Sequence, residues 1–313
     1  MRYITIRELS DMIRENLWKI PHDIDLVVGI PRSGLMVANM IALFLNKRLT
    51  DIDSFITGIV YECGERGVYV EKRECHKILV VDDSVQSGRA ITRAKTKLQQ
   101  VADKYAFVFA SPIVSTEGKE FVDVYFEIID DERVFEWNLF HHSILENSCM
   151  DIDGVLCCNP EEDDDGEKYT AFLKEAKPLF TPTVTIDTLV TCRLEKYRKL
   201  TEEWLGKHNI SYRHLVMLNL LDKESRIKWG KHGEFKGEYY KNSDCGLFIE
   251  SSYYEASIIA KVSNKSVICV ETNELLCVPA QETRFKLFKR KIRRRLPKTY
   301  NLIQQIVYSK IEK

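Results

Sequence analysis

The run Ile78-Leu79-Val80-Val81 stops at two adjacent carboxylates, Asp82 and Asp83, crosses a polar loop holding Gly88, and enters a stretch with apolar residues at Ile91, Ala94, Leu98 and Val101. A short apolar run bounded by polar residues predicts a strand buried on both faces, and the spacing after it predicts an amphipathic helix. This order of strand, loop and helix constrains the chain more than any other feature. It belongs to α/β folds, whose loops offer the backbone N–H groups of a helix N-terminus to a phosphate. Carboxylates at the strand end suit ribose hydroxyls or Mg²⁺, and the loop suits a phosphate.

The same order recurs. Leu26-Val27-Val28-Gly29-Ile30 leads into Pro31-Arg32-Ser33-Gly34 and an apolar helix over 35–46. Gly29 and Gly34 have the separation of the P-loop glycines, but Leu35 stands where the lysine must be, which excludes an ATP-type P-loop. Taken alone, the segment is equally an ordinary strand–turn–helix crossover. Cys149-Met150 then ends in Asp151-Ile152-Asp153-Gly154-Val155, a second strand stopping in carboxylates.

Other segments are placed by periodicity. Ile6, Leu9, Met12, Ile13 and Leu17 predict a helix over 5–18, ended by Pro21. Residues 54–76 alternate around Gly64-Glu65-Arg66-Gly67 and predict a hairpin. Two more strands are expected at 107–113 and 122–129. Phe135 and Trp137 are either a stacking surface for a ring or a packed junction to the next domain. His141 and His142 lack a third ligand at metal spacing, so no zinc site is expected.

A chain of 313 residues holds two domains of ordinary size. The expected organisation is two Rossmann-like α/β parallel-sheet domains, 1–145 and 146–280, followed by a basic tail, 281–313. With 46 Lys+Arg against 47 Asp+Glu the whole molecule is not an electrostatic nucleic-acid binder. No apolar run is long enough to span a bilayer, and Met1-Arg2-Tyr3 leads into an amphipathic helix rather than a signal peptide. The nine cysteines form no zinc-spaced pairs and read as reduced thiols, so a cytoplasmic location is expected.

Two acids after four apolar residues, with a hydroxyl–Gly pair four positions on, resemble the ribose-5-phosphate loop of type I phosphoribosyltransferases, which bind phosphoribosyl pyrophosphate (PRPP). The resemblance implies that Asp82 and Asp83 hold the ribose hydroxyls and help organise Mg²⁺. Ser84 and Val85 continue the loop, and Gln86, Ser87, Gly88, Arg89 and Ala90 wrap the 5-phosphate. Ser87 replaces a commoner Thr, and Ala90 removes a hydroxyl bond worth about 1 kcal/mol. The Ile-Pro-Arg-Ser-Gly segment then corresponds to the pyrophosphate loop, where a non-proline peptide is often cis and Arg32, Ser33 and Gly34 meet the leaving group. The 54–76 hairpin would close over PRPP and exclude water; as a bare sequence it is equally a surface hairpin. Residues 130–142 correspond to the family's hood, which helps choose the acceptor.

The Asp-x-Asp-Gly-Val segment closely resembles motif one of haloacid dehalogenase superfamily phosphatases. That likeness implies Asp151 as nucleophile, becoming an aspartyl phosphate, and Asp153 as general acid and then base. It also implies Mg²⁺ held by Asp151, Asp153 and Glu250. Thr191 corresponds to motif two and Lys236, preferred over Lys231, to motif three. Gly246 to Ser252 corresponds to motif four, with Ser251 and Ser252 where many relatives have a second acid; Ser251, a water or Glu255 would complete the metal sphere. The acidic stretch 161–167 lies where the superfamily inserts its cap, and its length allows only a small one.

The tail carries Lys286, Lys289, Arg290, Lys291, Arg293, Arg294 and Arg295 among large apolar residues. It reads as an anionic-membrane binder, with nucleic acid or a solvated helix as the other readings. Together the resemblances imply transfer of 5-phosphoribosyl from PRPP to an acceptor, and then removal of the 5-phosphate to leave a ribosyl group. They resemble bacterial ribofuranosylation in surface polysaccharide synthesis, with a lipid-linked glycan acceptor at the inner face of the membrane. The alternatives are a nucleobase phosphoribosyltransferase fused to a nucleotidase, and a PRPP-sensing regulatory protein.

Overall fold

The computed structural model describes residues 1–61, 75–161 and 165–277. The chain divides into two compact units, Met1–Leu139 and a second beginning at Phe140. Each has its own parallel sheet.

In the first unit β1 (Arg2–Ile4) precedes α1 (Ile6–Asn16). The periodicity gives no sign of this three-residue strand, which pairs in parallel with β8 (Arg133–Phe135). Thr5 caps α1 by accepting from the Glu8 N–H, and Glu8 accepts from Thr5 in return. This reciprocal box satisfies two otherwise orphaned donors and lets the helix bury Leu9, Met12 and Ile13. The main sheet is built from β2 (Leu26–Gly29), β3 (Arg48–Asp51), β4 (Lys77–Val81), β5 (Ser84–Val85), β6 (Ala106–Val114) and β7 (Val124–Ile128). Its order is β3-β2-β4-β6, with β5 and β7 both on β6, and every pairing is parallel.

Helices α2 (Ser33–Leu45) and α4 (Arg89–Leu98) follow β2 and the acidic loop. A short α3 (Ile52–Ile56) occupies the start of the expected hairpin, because Asp51 accepts from the Asp53 and Ser54 N–H groups and caps a helical turn there. Residues 62–74 of that hairpin lie outside the described residues. Leu26, Val28, Ile78 and Val80 fill one core of the unit, and Val27, Leu79 and Val81 fill the other. This two-sided burial explains why β2 and β4 are unbroken apolar runs.

The second unit has β9 (Ser148–Met150), α5 (Glu167–Glu175), β10 (Ile186–Leu194), α6 (Arg198–Lys207), β11 (Tyr212–Leu218), α7 (Lys223–Trp229) and α8 (His232–Asn242). Then come β12 (Leu247–Glu250), α9 (Tyr253–Ser263), β13 (Ser266–Cys269) and β14 (Glu274–Leu276). The sheet order is β11-β10-β9-β12-β13-β14, parallel except for the last pair. β10 runs to Leu194 through an irregularity, its register against β11 shifting between Val190 and Leu194. Of the acidic cap segment, 162–164 lie outside the described residues, as does the basic tail. Among the described residues no helix is long and apolar enough to cross a membrane.

Candidate functional site

In the first unit, two loops at the ends of β2 and β4 are brought together. Ile30 N–H donates to Val81 O at 2.9 Å, and Asp82 N–H donates to Ala110 O at 3.1 Å. Gly34 opens α2 against the acidic loop: a Cβ there would lie 2.8 Å from Val81 O and 3.1 Å from Asp82 Oδ1. Only a glycine permits this approach. The Pro31–Arg32 peptide is cis, and Arg32 and Ser33 follow it into the helix.

The acidic loop is built from both sides. Asp82 Oδ1 accepts from the Asp83 N–H at 3.0 Å. Ser84 and Val85 form β5, and Ser115 N–H donates to Val85 O while its hydroxyl donates to Gln86 O. Arg89 Nε donates to Ser87 Oγ at 3.1 Å. Gly88 has φ +67°, and a Cβ there would lie 2.4 Å from the Phe121 ring. The turn therefore needs glycine on two grounds, and it delivers the first N–H groups of α4, at Arg89 and Ala90, which have no intrahelical partner.

Trp137, left between two roles by the sequence, donates its indole N–H to Asp83 Oδ2 at 3.2 Å and stacks on Phe135 with ring centroids 4.7 Å apart. Neither this bond nor the supports from Ser115 and Phe121 had a signal in spacing. Arg133, also in the hood segment, is buried with no partner for its Nη1.

Burial, reinforced by the Asp83 charge, pushes Asp82 up to about 7. The folded chain thus holds a proton that the unfolded chain, at 3.8, releases. This contribution to stability is present below 3.8 and is lost as pH rises to about 7, at a slope of up to ~1.4 kcal/mol per pH unit. Thermal unfolding at a series of pH values should show the slope in the wild type and its loss in Asp82→Asn.

In the second unit, Asp151 follows β9, its N–H donating to Ile249 O at 3.0 Å. Glu250 ends the neighbouring β12. Lys236 reaches both from α8: Nζ donates to Asp151 Oδ2 at 2.8 Å, to Glu250 Oε2 at 2.8 Å and to Glu255 Oε2 at 2.7 Å. It is 3% exposed, whereas Lys231 lies on the surface. Burial acts against the Lys236 charge, but the three carboxylates outweigh it and hold the ammonium protonated well above its usual range. Burial raises Asp151, with Lys236 opposing and Glu250 and Asp153 adding to the rise. Burial also acts to raise Glu255, but His232 and Lys236 bring it down to about 2. Ser251 and Ser252, in place of a second acid, donate N–H groups to Glu250 Oε1 at 2.9 and 3.3 Å.

Asp153 shares no hydrogen bond with this cluster among the described residues, although its charge acts on Asp151. Arg193 Nε donates to its Oδ2 at 3.0 Å and Nη2 to its Oδ1 at 2.7 Å. Thr191 is buried, and its Oγ1 accepts from the Arg193 N–H at 3.2 Å inside the strand irregularity. No hydrogen bond joins Thr191 to Asp151 or Lys236 among the described residues.

Three carboxylates on one ammonium leave an excess of negative charge, a donor set suited to a hard divalent cation, with Asp151, Glu250 and Glu255 as the oxygen donors. Of the expected set, Asp151 and Glu250 share Lys236, and Asp153 is bonded to Arg193. Among the described residues no group of three or more His, Cys, Asp or Glu side chains is already arranged around an ion position.

Residues 2–142 match the phosphoribosyl transferase domain family. A curated relative, the transcriptional regulator GfcR of Methanococcoides burtonii, is 31% identical over 99 residues, which are 30% of this chain. The chain spans about half that relative's length, 47%. Similar solved structures include a purine phosphoribosyltransferase from Pyrococcus horikoshii, with 16% identity and a TM-score of 0.33, covering 44% of this chain and 92% of that one. The xanthine-guanine-hypoxanthine phosphoribosyltransferase of Helicobacter pylori gives 18% and 0.34, covering 44% and 93%. The orotate phosphoribosyltransferase of Aeropyrum pernix gives 23% and 0.27, covering 37% and 65%. The matched residues 2–142 include both loops that meet at Gly34 and the segment whose Trp137 reaches Asp83.

Proposed function

We propose that the chain binds PRPP between the 31–34 loop and the Asp82–Ala90 loop, transfers its 5-phosphoribosyl group to an acceptor, and removes the 5-phosphate in the second unit. The observation that carries the first half is the contact of the two loops at Gly34. It brings the 31–34 loop against Asp82 and the start of the acidic loop, which supports reading the one as the leaving-group loop and the other as the ribose and phosphate site. Asp82 and Asp83 take the ribose hydroxyls, and Gln86 to Ala90 take the 5-phosphate through backbone N–H groups, with Ser87 adding its hydroxyl.

For the second half, the Lys236 cluster supports a phosphatase of the haloacid dehalogenase type. Asp151 attacks phosphorus, Lys236 holds that carboxylate and offers positive charge to the phosphoryl oxygens, and Asp153 handles protons. Asp151, Asp153 and Glu250, with Glu255 beside them, would hold Mg²⁺, which would supply the positive charge that lets an anionic nucleophile approach an anionic phosphate. Acting in sequence on one ribosyl unit, the two reactions leave a ribofuranosyl group. On this reading the acceptor is a lipid-linked glycan, and the basic tail, outside the described residues, is a candidate contact to an anionic membrane surface.

A second reading is favoured by the likeness to a relative named as a transcriptional regulator: a PRPP-responsive regulatory protein that binds without transferring. Pyrophosphate release from PRPP, measured with lipid-linked glycan, purine, pyrimidine and orotate acceptors, separates the cases. Release with glycan alone is the expected result. Release only with a nucleobase overturns the glycan acceptor, and tight PRPP binding with no release under any acceptor favours the regulator.

A further inference from the structure

Arg193 has no role in the motifs that placed Asp151, Thr191, Lys236 and Glu250. Its guanidinium is fully buried, with Asp153 as its charge partner. Both Asp153 oxygens are engaged by the planar fork, at 3.0 and 2.7 Å. The remaining contacts hold the fork still: Nη2 donates to Cys157 Sγ at 3.3 Å, Nη1 to Thr201 Oγ1 at 3.4 Å, and the group lies over the Phe172 ring at 5.9 Å. Arg193 lies within the register irregularity of β10 between Val190 and Leu194. Such irregularities re-aim side chains near active sites.

The pair has a front and a back. The Asp153 side chain is 20% exposed and that of Arg193 is 0% exposed. The arginine therefore meets the carboxylate on its buried side, and the part of Asp153 left accessible is the part the fork does not cover. A two-bond fork fixes orientation, which a single ammonium does not.

We propose that Arg193 is a positioning residue that holds the Asp153 carboxylate in the orientation needed for proton transfer in the second unit. This rests on reading that unit as an aspartyl-phosphate phosphatase. In that chemistry an Asp151 oxygen bonds to phosphorus while the ester P–O bond breaks, and the leaving oxygen departs as its anion or takes a proton from water. Water then attacks phosphorus and gives its proton to the Asp153 carboxylate, which the guanidinium fork holds ionised and which returns that proton to solvent. The bond to Asp151 breaks, and inorganic phosphate leaves. The carboxylate must keep its direction while water attacks.

The test uses the full chain with Mg²⁺ and p-nitrophenyl phosphate as the probe, and compares the wild type with D151N, D153N, R193Q, R193K and R193K/D153N. Removing a buried charge risks the fold, so R193K, which keeps the charge and loses the fork, carries the test if R193Q does not fold. R193K should lower kcat about a hundredfold, as expected for impaired acid–base catalysis, with KM within about threefold. The double variant should be no slower than D153N, because Arg193 acts through Asp153. A kcat for R193K within about threefold of wild type, or losses that multiply in the double variant, would overturn the proposal while leaving the phosphatase reading intact. Turnover equal in wild type and D151N would overturn that reading, and the proposal with it.

Discussion

Lys236→Met should destabilise the second unit by about 3–5 kcal/mol at neutral pH, the range for breaking a buried ion pair by removing one partner. The substitution preserves most of the side-chain volume and removes a charge bonded to Asp151, Glu250 and Glu255. Three carboxylates would then crowd a site where Lys236 is 3% exposed, with the ammonium that offsets them gone. The pH dependence has the same geometric origin. Without the ammonium, burial and mutual repulsion raise the carboxylates. A raised carboxylate contributes stability that is present at low pH and lost as pH rises through its folded value. The deficit should therefore shrink as the solution is acidified. Urea unfolding of both proteins at neutral and mildly acidic pH checks this, and an unchanged midpoint would mean that the cluster is not the electrostatic centre of the unit.

If the second unit is the proposed phosphatase, Asp151→Asn should abolish phosphomonoester hydrolysis, a loss of about 10⁴-fold or more for a nucleophile replaced by a non-nucleophile of the same shape. Its effect on stability should be opposite in kind to that of Lys236→Met. The asparagine carbonyl still accepts from Lys236, and one of three converging negative charges disappears, so the unfolding temperature should hold or rise. Loss of activity without loss of fold separates chemistry from packing in a way that Lys236→Met cannot. Kinetics with p-nitrophenyl phosphate, together with a thermal unfolding curve, measure both.

The elements legible in the sequence were those whose burial is one-dimensional. β2 and β4 are sealed on both faces, so their apolar runs announced them, and the acids at the end of β4 marked where the sheet opens. Lys236 and Glu250 were singled out by resemblance, and they share a hydrogen bond although fourteen residues and a helix–strand change separate them. The features that escaped depend on contacts between distant segments. The pairing of β1 with β8 involves only three residues and leaves no periodic trace. Trp137 meets Asp83 across 54 residues. Arg193 looks from its position like the end of a strand, and it meets Asp153 from within the register irregularity of β10. α3 was masked by the alternation of its flanks, because the capping carboxylate of Asp51 decides its conformation.

On the proposed function, the 5-phosphate held by the Gln86 to Ala90 loop is the group that Asp151 removes. Phosphorus NMR and mass spectrometry of wild type and Asp151→Asn, each incubated with PRPP, Mg²⁺ and a lipid-linked glycan, test it directly. The expected result is pyrophosphate from both proteins, a phosphoribosyl glycan accumulating in the variant, and ribosyl glycan with free phosphate in the wild type. Identical products from the two proteins, or a 5-phosphate retained on the product by wild type, would contradict it.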